Sequence, residues 1–360
     1  MVLTVCGDPR AGRLQTLAFL LFMTDYRPTS ELRVRSRAKA FLDKGRRLER
    51  MIKYYIKHSE KREEYEPTYQ LIVDKYPGVP TKAEVAQLLT DLKGSRVAGE
   101  ERVYQYWHQG CTPEKAAPKA PWHPVHKISA LSYEKYEKDR HTVLDYDSLH
   151  DYINVPDKFI EKLEKAGKYP MIADLVRCML LFVNGGVWSD LTVVAFNKIP
   201  HYVWERDLFL YVRADRPSDY REYLYFDWGT YSWDAMHKVR ITPGFFHCTK
   251  ENVLMGQWLL KFMEVVEGEG DRFVDLHYYI FLVVFDYLVR NDKDFGDNFI
   301  KLSSYPSDVL MHYLVVYCSK AFNEADYNMV KSKIPIQRIK LSTRFFEGCM
   351  AYESLVKEGW

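Results

Sequence analysis

Apolar residues recur at helical spacing through the first quarter of the chain. Between Leu32 and Lys61 the apolar positions at multiples of a helical turn are Val34, Ala38, Phe41, Leu48, Ile52 and Tyr55. This stripe among charged residues predicts an amphipathic helix. A second helix is predicted from Pro80 to Gly94, because Thr81 and Glu84 have the spacing of a capping box. Residues 1–98 are therefore interpreted as a helical N-terminal region.

From residue 99 onward the pattern changes to short apolar runs that alternate with helical segments. The runs predicted as strands are Val103–Trp107, His141–Leu144, Val187–Ser189, Val193–Ala195 and Leu208–Val212. The segments predicted as helices are 148–152, 157–167, 172–183 and the long apolar stretch Phe273–Arg290. Strands that alternate with helices indicate an α/β fold, with a mixed sheet flanked by helices in a domain that spans residues 99–360.

The composition is that of a folded protein, with 47% hydrophobic residues and a net charge of only +2. A chain devoted to nucleic acid carries a larger basic excess, so no nucleic-acid partner is expected. The six cysteines form no C-x-x-C pair, which favours reduced thiols in a cytoplasmic protein. The longest early apolar run, Leu17–Met23, is too short to span a bilayer, which needs about 20 residues.

Positive charge is concentrated near the N-terminus, where residues 33–62 contain twelve basic and three acidic side chains. A basic amphipathic helix of this kind binds an anionic membrane surface, at about 1 kcal/mol per basic residue near that surface. The alternative is a solvated helix that packs on the following domain. Peripheral membrane contact is therefore one of two open interpretations of this basic segment.

Residues that carry chemistry concentrate between positions 173 and 192. Asp174 and Arg177 share one face of an otherwise apolar helix, where burying two charges costs several kcal/mol unless they pair or bind something. Gly185 and Gly186 follow, and then a predicted strand that ends at Asp190. Ligands of open α/β sheets bind outside the carboxyl ends of strands, where a carboxylate bonds sugar hydroxyls or a metal ion. A purely structural Asp–Arg ion pair is the alternative.

The stretch from Val103 to Val194 resembles the glycosyltransferases of capsular polysaccharide synthesis and their relatives with a DxD sugar-binding region. The matching segments are Tyr104–Gly110, Val143–Asp145, Tyr152–Ile153, Asp174–Arg177 and Gly185–Thr192. The resemblance implies a GT-A fold, in which a Rossmann-like sheet binds a nucleotide-sugar. It also implies a UDP-sugar donor, a glycan hydroxyl as acceptor, and retention of the anomeric configuration.

The resemblance also implies roles for individual positions. The residues that it implies for catalysis are Asp174, Arg177 and Asp190. Those implied for donor binding are Tyr106, Trp107, Gln109, Gly185, Gly186, Thr192, Lys340 and Arg344, and those implied for the acceptor are Asp275 and His277. Within the donor set, the strand around Tyr106 and Trp107 would line the base pocket, and Lys340 and Arg344 would cover the phosphates.

Asp190 is the metal ligand that the resemblance implies, with Mn²⁺ or Mg²⁺ as the cofactor. This chain departs from the DxD pattern, because Thr192 stands where those relatives have a second aspartate. A hydroxyl is a poorer ligand for a divalent cation than a carboxylate, so dependence on a metal is left open. The spacing of His123 and His126 matches a metal-binding pair only loosely.

Two functions from different classes remain after the sequence is read. The first is an enzyme that transfers a sugar from a nucleotide-sugar to a glycan, in the cytoplasm or peripherally at the membrane. The second is a non-catalytic protein with a degenerate GT-A fold that binds nucleotide-sugars or carbohydrate. Thr192 and the long basic N-terminal segment fit this second interpretation.

Overall fold

The computed structural model describes residues 66–94, 101–117, 120–212, 241–276, 280–302, 338–340, 343 and 350–360. The predicted basic helix of residues 32–61, the apolar run Leu17–Met23, and the site candidates His277 and Arg344 lie outside these residues. No helix in the described ranges is long and apolar enough to cross a membrane. The predicted division of the chain at residue 98 stays a prediction.

The described elements alternate between strands and helices. The strands are β1 (Val103–Tyr106), β2 (His141–Leu144), β3 (Gly186–Ser189), β4 (Val193–Ala195), β5 (Leu208–Val212), β6 (Ile241–Cys248) and β7 (Arg338–Lys340). Residues 66–75 are helical. The helices that follow are α1 (Lys82–Leu92), α2 (Pro124–Glu137), α3 (Tyr146–Leu149), α4 (Asp157–Lys165), α5 (Tyr169–Asn184), α6 (His201–Trp204), α7 (Val253–Gly268), a 3₁₀ helix (Gly270–Asp275), α8 (Ile280–Asn291), α9 (Lys293–Leu302) and α10 (Met350–Lys357).

The main sheet has five strands in the order β2-β1-β3-β6-β5. Strands β2, β1 and β3 are parallel, whereas β6 runs antiparallel to both of its neighbours. Strands β4 and β7 form a separate antiparallel pair. The expectation of a mixed sheet flanked by helices is confirmed, and all five predicted strands are present.

Side chains alternate between the two faces of the main sheet, as the two-residue period of a strand requires. Tyr104 and Trp188 belong to the larger core, where α5 packs on β3 and β6, and α7 and α8 form further layers. Val103 and Val187 belong to a smaller core on the opposite face, together with Tyr133 of α2. Helix α5 therefore lies on the face of β3 that carries Trp188.

Helix α1 has the capping box that its sequence predicts. The Thr81 side chain accepts a hydrogen bond from the backbone N–H of Glu84, and the Glu84 carboxylate accepts one from the backbone N–H of Thr81. The helix buries Val85, Leu88 and Leu92 against α7 and α5. This part of the predicted N-terminal region thus contributes to the main core.

Two of the predicted helices differ most from expectation. The stretch Phe273–Arg290 is not one helix, because the 3₁₀ helix ends at Asp275 and Leu276 has an extended backbone (ψ 150°). The short helix α3 spans Tyr146–Leu149 rather than 148–152, and Asp145 caps it. Asp145 accepts from the backbone N–H of Ser148 at 2.9 Å, which satisfies a donor that a helix start leaves unpaired.

A glycine is required at position 186 because the backbone that leads into β1 lies close to it. The φ of Gly186 is +104°, and an added Cβ would lie 2.5 Å from the carbonyl oxygen of Arg102. That oxygen also accepts the N–H of Val187 at 2.7 Å, so it is held in place. Gly185, at φ +70°, is packed in the same manner against Lys250. The glycine pair therefore lets β3 start beside β1.

We expect the change Gly186→Ala to destabilise the protein by about 3 kcal/mol or more, since it adds backbone strain and overpacking at one site. The matched control is Gly78→Ala, at φ +90° with nothing within 4 Å of the added Cβ, where strain alone costs about 1–2 kcal/mol. Urea unfolding followed by circular dichroism measures both changes. Equal losses in the two variants would contradict the clash with Arg102.

Candidate active site

The carboxyl ends of the three parallel strands lie at one edge of the main sheet. Trp107 and His108 follow β1, Asp145 follows β2, and Asp190 follows β3. Ligands of α/β sheets bind at this edge because the loops that follow the parallel strands form a crevice there. Asp145 is already used as a helix cap, so Asp190 is the carboxylate at this edge that can serve a ligand.

The three residues predicted for catalysis converge at the end of β3. The Nη2 atom of Arg177 lies 3.1 Å from Oδ1 of Asp174 and 3.5 Å from Oδ1 of Asp190. Helix α5 supplies the first two residues one turn apart, and Asp190 comes from the loop after β3. Two carboxylates that are 16 positions apart in sequence thus share one guanidinium.

The guanidinium of Arg177 is held more tightly than an ordinary ion pair. Its Nε donates to the carbonyl of Ala173 at 3.2 Å, and its Nη1 donates to the carbonyl of Pro243 at 2.6 Å. The group also lies 5.1 Å from the centroid of the Trp188 ring, a distance at which a cation–π contact is favourable. Arg177 is therefore fixed in position before any ligand arrives.

The two carboxylates are more exposed than the arginine. The side chains of Asp174 and Asp190 are 15% and 19% exposed, whereas that of Arg177 is 7% exposed. Asp190 Oδ1 accepts a hydrogen bond from the Trp188 indole N–H at 2.8 Å. One guanidinium beside two carboxylates leaves a net negative charge, so the exposed oxygens are suited to accept hydrogen bonds from hydroxyl groups.

The backbone of Asp190 is fixed from both sides. Its N–H donates to the carbonyl of Gly244 at 2.8 Å, and its carbonyl accepts from Val193 at 2.8 Å and from the Gln105 amide at 3.3 Å. Gln105 is fully buried and also hydrogen-bonds Ser129 and His141. A buried network of this kind is stabilising only while each member is satisfied.

The side chain of His141 is only 5% exposed, and burial lowers its pKa, as it does for His126 and His247 in the described ranges. The pKa of each of these three histidines is lowered from 6.5 to about 4. Between pH 6.5 and 4 the unfolded chain binds protons that the folded chain does not, so stability falls as the pH falls. At pH 5 the expected loss is about 2 kcal/mol for each histidine.

We therefore expect His141→Gln to reduce the difference in unfolding free energy between pH 7 and pH 5 by about 2 kcal/mol. The control is His201→Gln, because the side chain of His201 is 81% exposed. Urea denaturation at the two pH values measures both differences. If the unfolding free energy depends on pH equally in His141→Gln and in the wild type, the pKa of His141 is not lowered by folding.

The predicted phosphate segment lies beside the loop that carries Asp190. Strand β7 pairs with β4, and Lys340 is the register partner of Val193, the residue directly after Thr192. Arg338 anchors this strand, since its buried guanidinium donates to the hydroxyl of Tyr133 at 3.2 Å and to Asn197 Oδ1 at 2.8 Å. The structure thus pairs the backbone of Lys340 with the residue three positions after Asp190, a pairing that sequence distance alone does not indicate.

The predicted donor residues Gly185, Gly186 and Tyr106 have packing or hydrogen-bond partners within the protein. Gly185 and Gly186 are at the amino end of β3, whereas Asp190 follows its carboxyl end, and their packing accounts for them without a ligand. Tyr106 is buried, and its hydroxyl lies 2.6 Å from His108 Nδ1. Contact of these three residues with a donor stays a prediction.

Trp107 and Gln109 are half-buried residues of the loop after β1. The Trp107 indole N–H donates to the carbonyl of Ala120 at 3.1 Å, and its ring lies 4.4 Å from that of His126. The carbonyl of Gln109 accepts from Ala117 at 2.9 Å. Both residues therefore shape this loop, and their predicted role in donor binding is compatible with its position at the sheet edge.

Asp275, the predicted acceptor residue, is exposed at the end of the 3₁₀ helix. Its neighbour Val274 accepts a hydrogen bond from Lys168, which directly precedes α5, at 2.6 Å. Asp275 therefore lies near the amino end of α5, whereas Asp174 and Arg177 lie further along that helix. Its contact with an acceptor stays a prediction.

His123 and His126 form the cap of α2. The His123 ring accepts from the backbone N–H of Val125, and the His126 ring accepts from the backbone N–H of His123. Among the described residues no group of three or more His, Cys, Asp or Glu side chains could hold a metal ion. The loose match to a metal-binding pair is explained by helix capping instead.

One group at the sheet edge was not singled out from the sequence. His108 Nε2 lies 3.4 Å from Glu164 Oε1, and its ring lies 5.1 Å from Tyr146 and 5.6 Å from Tyr169. Burial lowers the pKa of His108, which Glu164 partly opposes. The position of His108 in the sequence could have identified it, because it comes two residues after a strand that ends at the ligand-binding edge.

The chain matches the family described as "Capsular polysaccharide synthesis protein" over residues 80–352. It therefore belongs to the capsular polysaccharide synthesis protein family, as the resemblance of its motifs implies. Among solved structures it is similar to one titled "PaToxG Glycosyltransferase", at 12% identity, with 79% of this chain and 95% of that chain covered and a TM-score of 0.32. No curated protein matches this sequence.

Proposed function

We propose that this protein is a glycosyltransferase that moves a sugar from a nucleotide-sugar to a hydroxyl of a glycan. The observation that carries the proposal is the convergence of Asp174, Arg177 and Asp190 at the carboxyl end of a parallel strand. Membership in a family of polysaccharide synthesis supports a carbohydrate substrate. A merely structural ion pair does not require two carboxylates that are more exposed than the cation between them.

In the proposed reaction Asp174 and Asp190 accept hydrogen bonds from hydroxyl groups of the donor, and Arg177 pairs with both carboxylates and holds them in position. Catalysis then comes from positioning and from stabilisation of an oxocarbenium-like state by the nearby negative charge. We propose retention at the anomeric carbon and a UDP-sugar as donor. The departing diphosphate takes the proton of the acceptor hydroxyl, so that no strong protein base is required.

Negative charge that develops on the diphosphate needs a cationic partner. Lys340, whose backbone pairs with Val193, is proposed to supply this charge, and Arg344 is proposed to act with it. The described donor set fits a protein-held Mn²⁺ or Mg²⁺ poorly, because Thr192 replaces a carboxylate and Arg177 lies 3.5 Å from Asp190. The cationic partner in the proposed reaction is therefore a protein side chain.

A panel of nucleotide-sugars tests the proposal directly. We expect one of them, a UDP-sugar in the first instance, to raise the melting temperature, since a ligand that binds only the folded state stabilises it. Transfer is then measured on oligosaccharide acceptors, with EDTA in one arm and Mn²⁺ in another. Binding and transfer that persist in EDTA support stabilisation of the diphosphate by cationic side chains. Loss of transfer in EDTA would instead indicate that Mn²⁺ or Mg²⁺ binds at Asp190.

The second candidate is a non-catalytic protein that binds nucleotide-sugars or carbohydrate. The observation that favours it is the hydroxyl of Thr192 at the position of the second DxD carboxylate. This candidate predicts thermal stabilisation by a nucleotide-sugar with neither transfer nor hydrolysis in any metal condition. The same panel therefore separates the two functions.

Peripheral membrane contact through the basic N-terminal segment, with the rest of the protein in the cytoplasm, stays part of the proposal. Cutting at residue 98 would remove α1, which buries Val85, Leu88 and Leu92 in the core. A truncation after residue 54 leaves the compact unit Tyr55–Trp360 whole. If the segment binds membranes, only the full chain sediments with vesicles that contain anionic lipid.

A further inference from the structure

A basic cleft lies between α4 and the 3₁₀ helix, outside the Asp174–Arg177–Asp190 group. The cleft has a volume of about 410 Å³. Its lining includes Lys158, Lys162, Lys165, Asp271, Phe273 and Val274. A volume of this size is in the range of small-molecule and oligosaccharide sites. Three lysines face one aspartate, so the cleft carries a net positive charge.

The lysines lie on one face of α4 because they are four and three residues apart. Lys158 is the second residue of the helix, where the helix dipole disfavours a cation. Among the described residues neither Lys158 nor Lys162 forms an ion pair with a carboxylate, whereas Lys165 has Glu161 at 3.8 Å. Helix stability therefore does not account for Lys158.

The cleft is built before a ligand arrives. Lys168 donates to the carbonyl of Val274 at 2.6 Å, which ties the 3₁₀ helix to the start of α5. The ammonium of Lys162 lies 4.9 Å from the centroid of the Phe273 ring, which is buried beneath it. This cation–π contact restricts the long lysine side chain and so lowers the entropy lost when an anion binds.

The cleft is joined to the candidate active site by a short connection. Helix α5 begins four residues after Lys165, and Asp174 is five residues further on, which is about 8 Å along the helix axis. Tyr169, the first residue of α5, is 40% exposed between the two places. A glycan that occupies both places must be long enough to extend from Asp190 to the lysines.

We propose that this cleft binds an anionic segment of the glycan, one that bears carboxylate or phosphate groups, while the sugar is transferred at Asp190. The inference rests on the proposed function, because it takes the glycan acceptor as the ligand. A planar membrane surface fits less well. Only one of the exposed large apolar residues in the described ranges, Val274, borders the cleft. Interfacial binding needs an apolar face as well as charge.

Direct binding to the full-length protein tests the proposal without any transfer assay. The probes are a carboxylated oligogalacturonate, a neutral malto-oligosaccharide of equal length, and inorganic pyrophosphate as a competitor. We expect the double change Lys158→Gln and Lys162→Gln to weaken oligogalacturonate binding roughly tenfold, and Asp271→Asn to strengthen it. Displacement by pyrophosphate at low concentration assigns the site to phosphate groups, and resistance assigns it to carboxylates.

The matched control removes two exposed lysines elsewhere, by Lys127→Gln and Lys138→Gln, and should change binding less than about twofold. Equal weakening in both double variants, or equal binding of the neutral oligosaccharide, overturns the proposal. Binding of phosphatidylglycerol vesicles that is lost in the Lys158/Lys162 variant, without oligosaccharide binding, overturns it in favour of a membrane. We expect the Asp190→Asn variant to bind oligogalacturonate as the wild type does, because the cleft lies outside the group that contains Asp190.

Discussion

Replacing Asp190 by asparagine should lower sugar transfer at least about 100-fold, the size of effect seen when one group that stabilises a developing charge is removed. The asparagine oxygen can still accept the hydrogen bond that Trp188 donates to Asp190 Oδ1 at 2.8 Å. Arg177 keeps its pairing with Asp174 at 3.1 Å. The change therefore removes charge at the sheet edge with little change in packing, and the melting temperature should shift by only a few degrees.

The control for Asp190→Asn is Asp139→Asn, since Asp139 is an exposed aspartate after α2. Initial rates of transfer from the nucleotide-sugar identified in the panel measure the effect, and thermal melts confirm that each variant is folded. Asp174→Asn should behave like Asp190→Asn. Full activity in both purified variants would refute the assignment of these carboxylates to the donor site.

Replacing Arg177 by methionine should destabilise the protein by about 3–5 kcal/mol, because it leaves buried acceptors without their partner. The guanidinium contacts Asp174 and Asp190 and donates to the carbonyls of Ala173 and Pro243. Removing it also brings two carboxylates together without a cation between them. Transfer should be lost together with stability, which sets this variant apart from Asp190→Asn.

The matched control is Arg140→Met, which removes an arginine that pairs with Glu101 at 2.8 Å but is 44% exposed. Surface pairs of this kind contribute about 0–1 kcal/mol. Arg177→Lys keeps the charge but not the planar fork, so it should recover only part of the loss. Urea unfolding measures all three variants. A loss for Arg177→Met no larger than that for Arg140→Met would show that the arginine is not a structural centre of the site.

Local patterns identified those parts of the fold that local interactions determine. The strands β2, β4 and β5 have the bounds that their apolar runs predict, and α1 has its predicted capping box. The prediction was wrong at Phe273–Arg290, where apolar residues on both sides of an extended Leu276 belong to two elements. Hydrophobic content alone does not reveal such a break.

The helix α2 and the strands β6 and β7 were not predicted. Helix α2 follows a stretch that is rich in proline, a residue that can also occupy the first turn of a helix. Strand β7 has three residues, and its pairing with β4 is separated by more than 140 positions. Long-range pairing of so short a strand leaves almost no local signal.

The sequence by itself determined the family, the α/β class and the shared helix face of Asp174 and Arg177, because motif identity and helical spacing are local properties of the chain. Only the tertiary structure decided that Asp190 shares the same guanidinium, that Lys340 pairs with Val193, and that the two glycines serve strand packing. Each of these depends on strand order and register, which are set by packing between segments far apart in sequence.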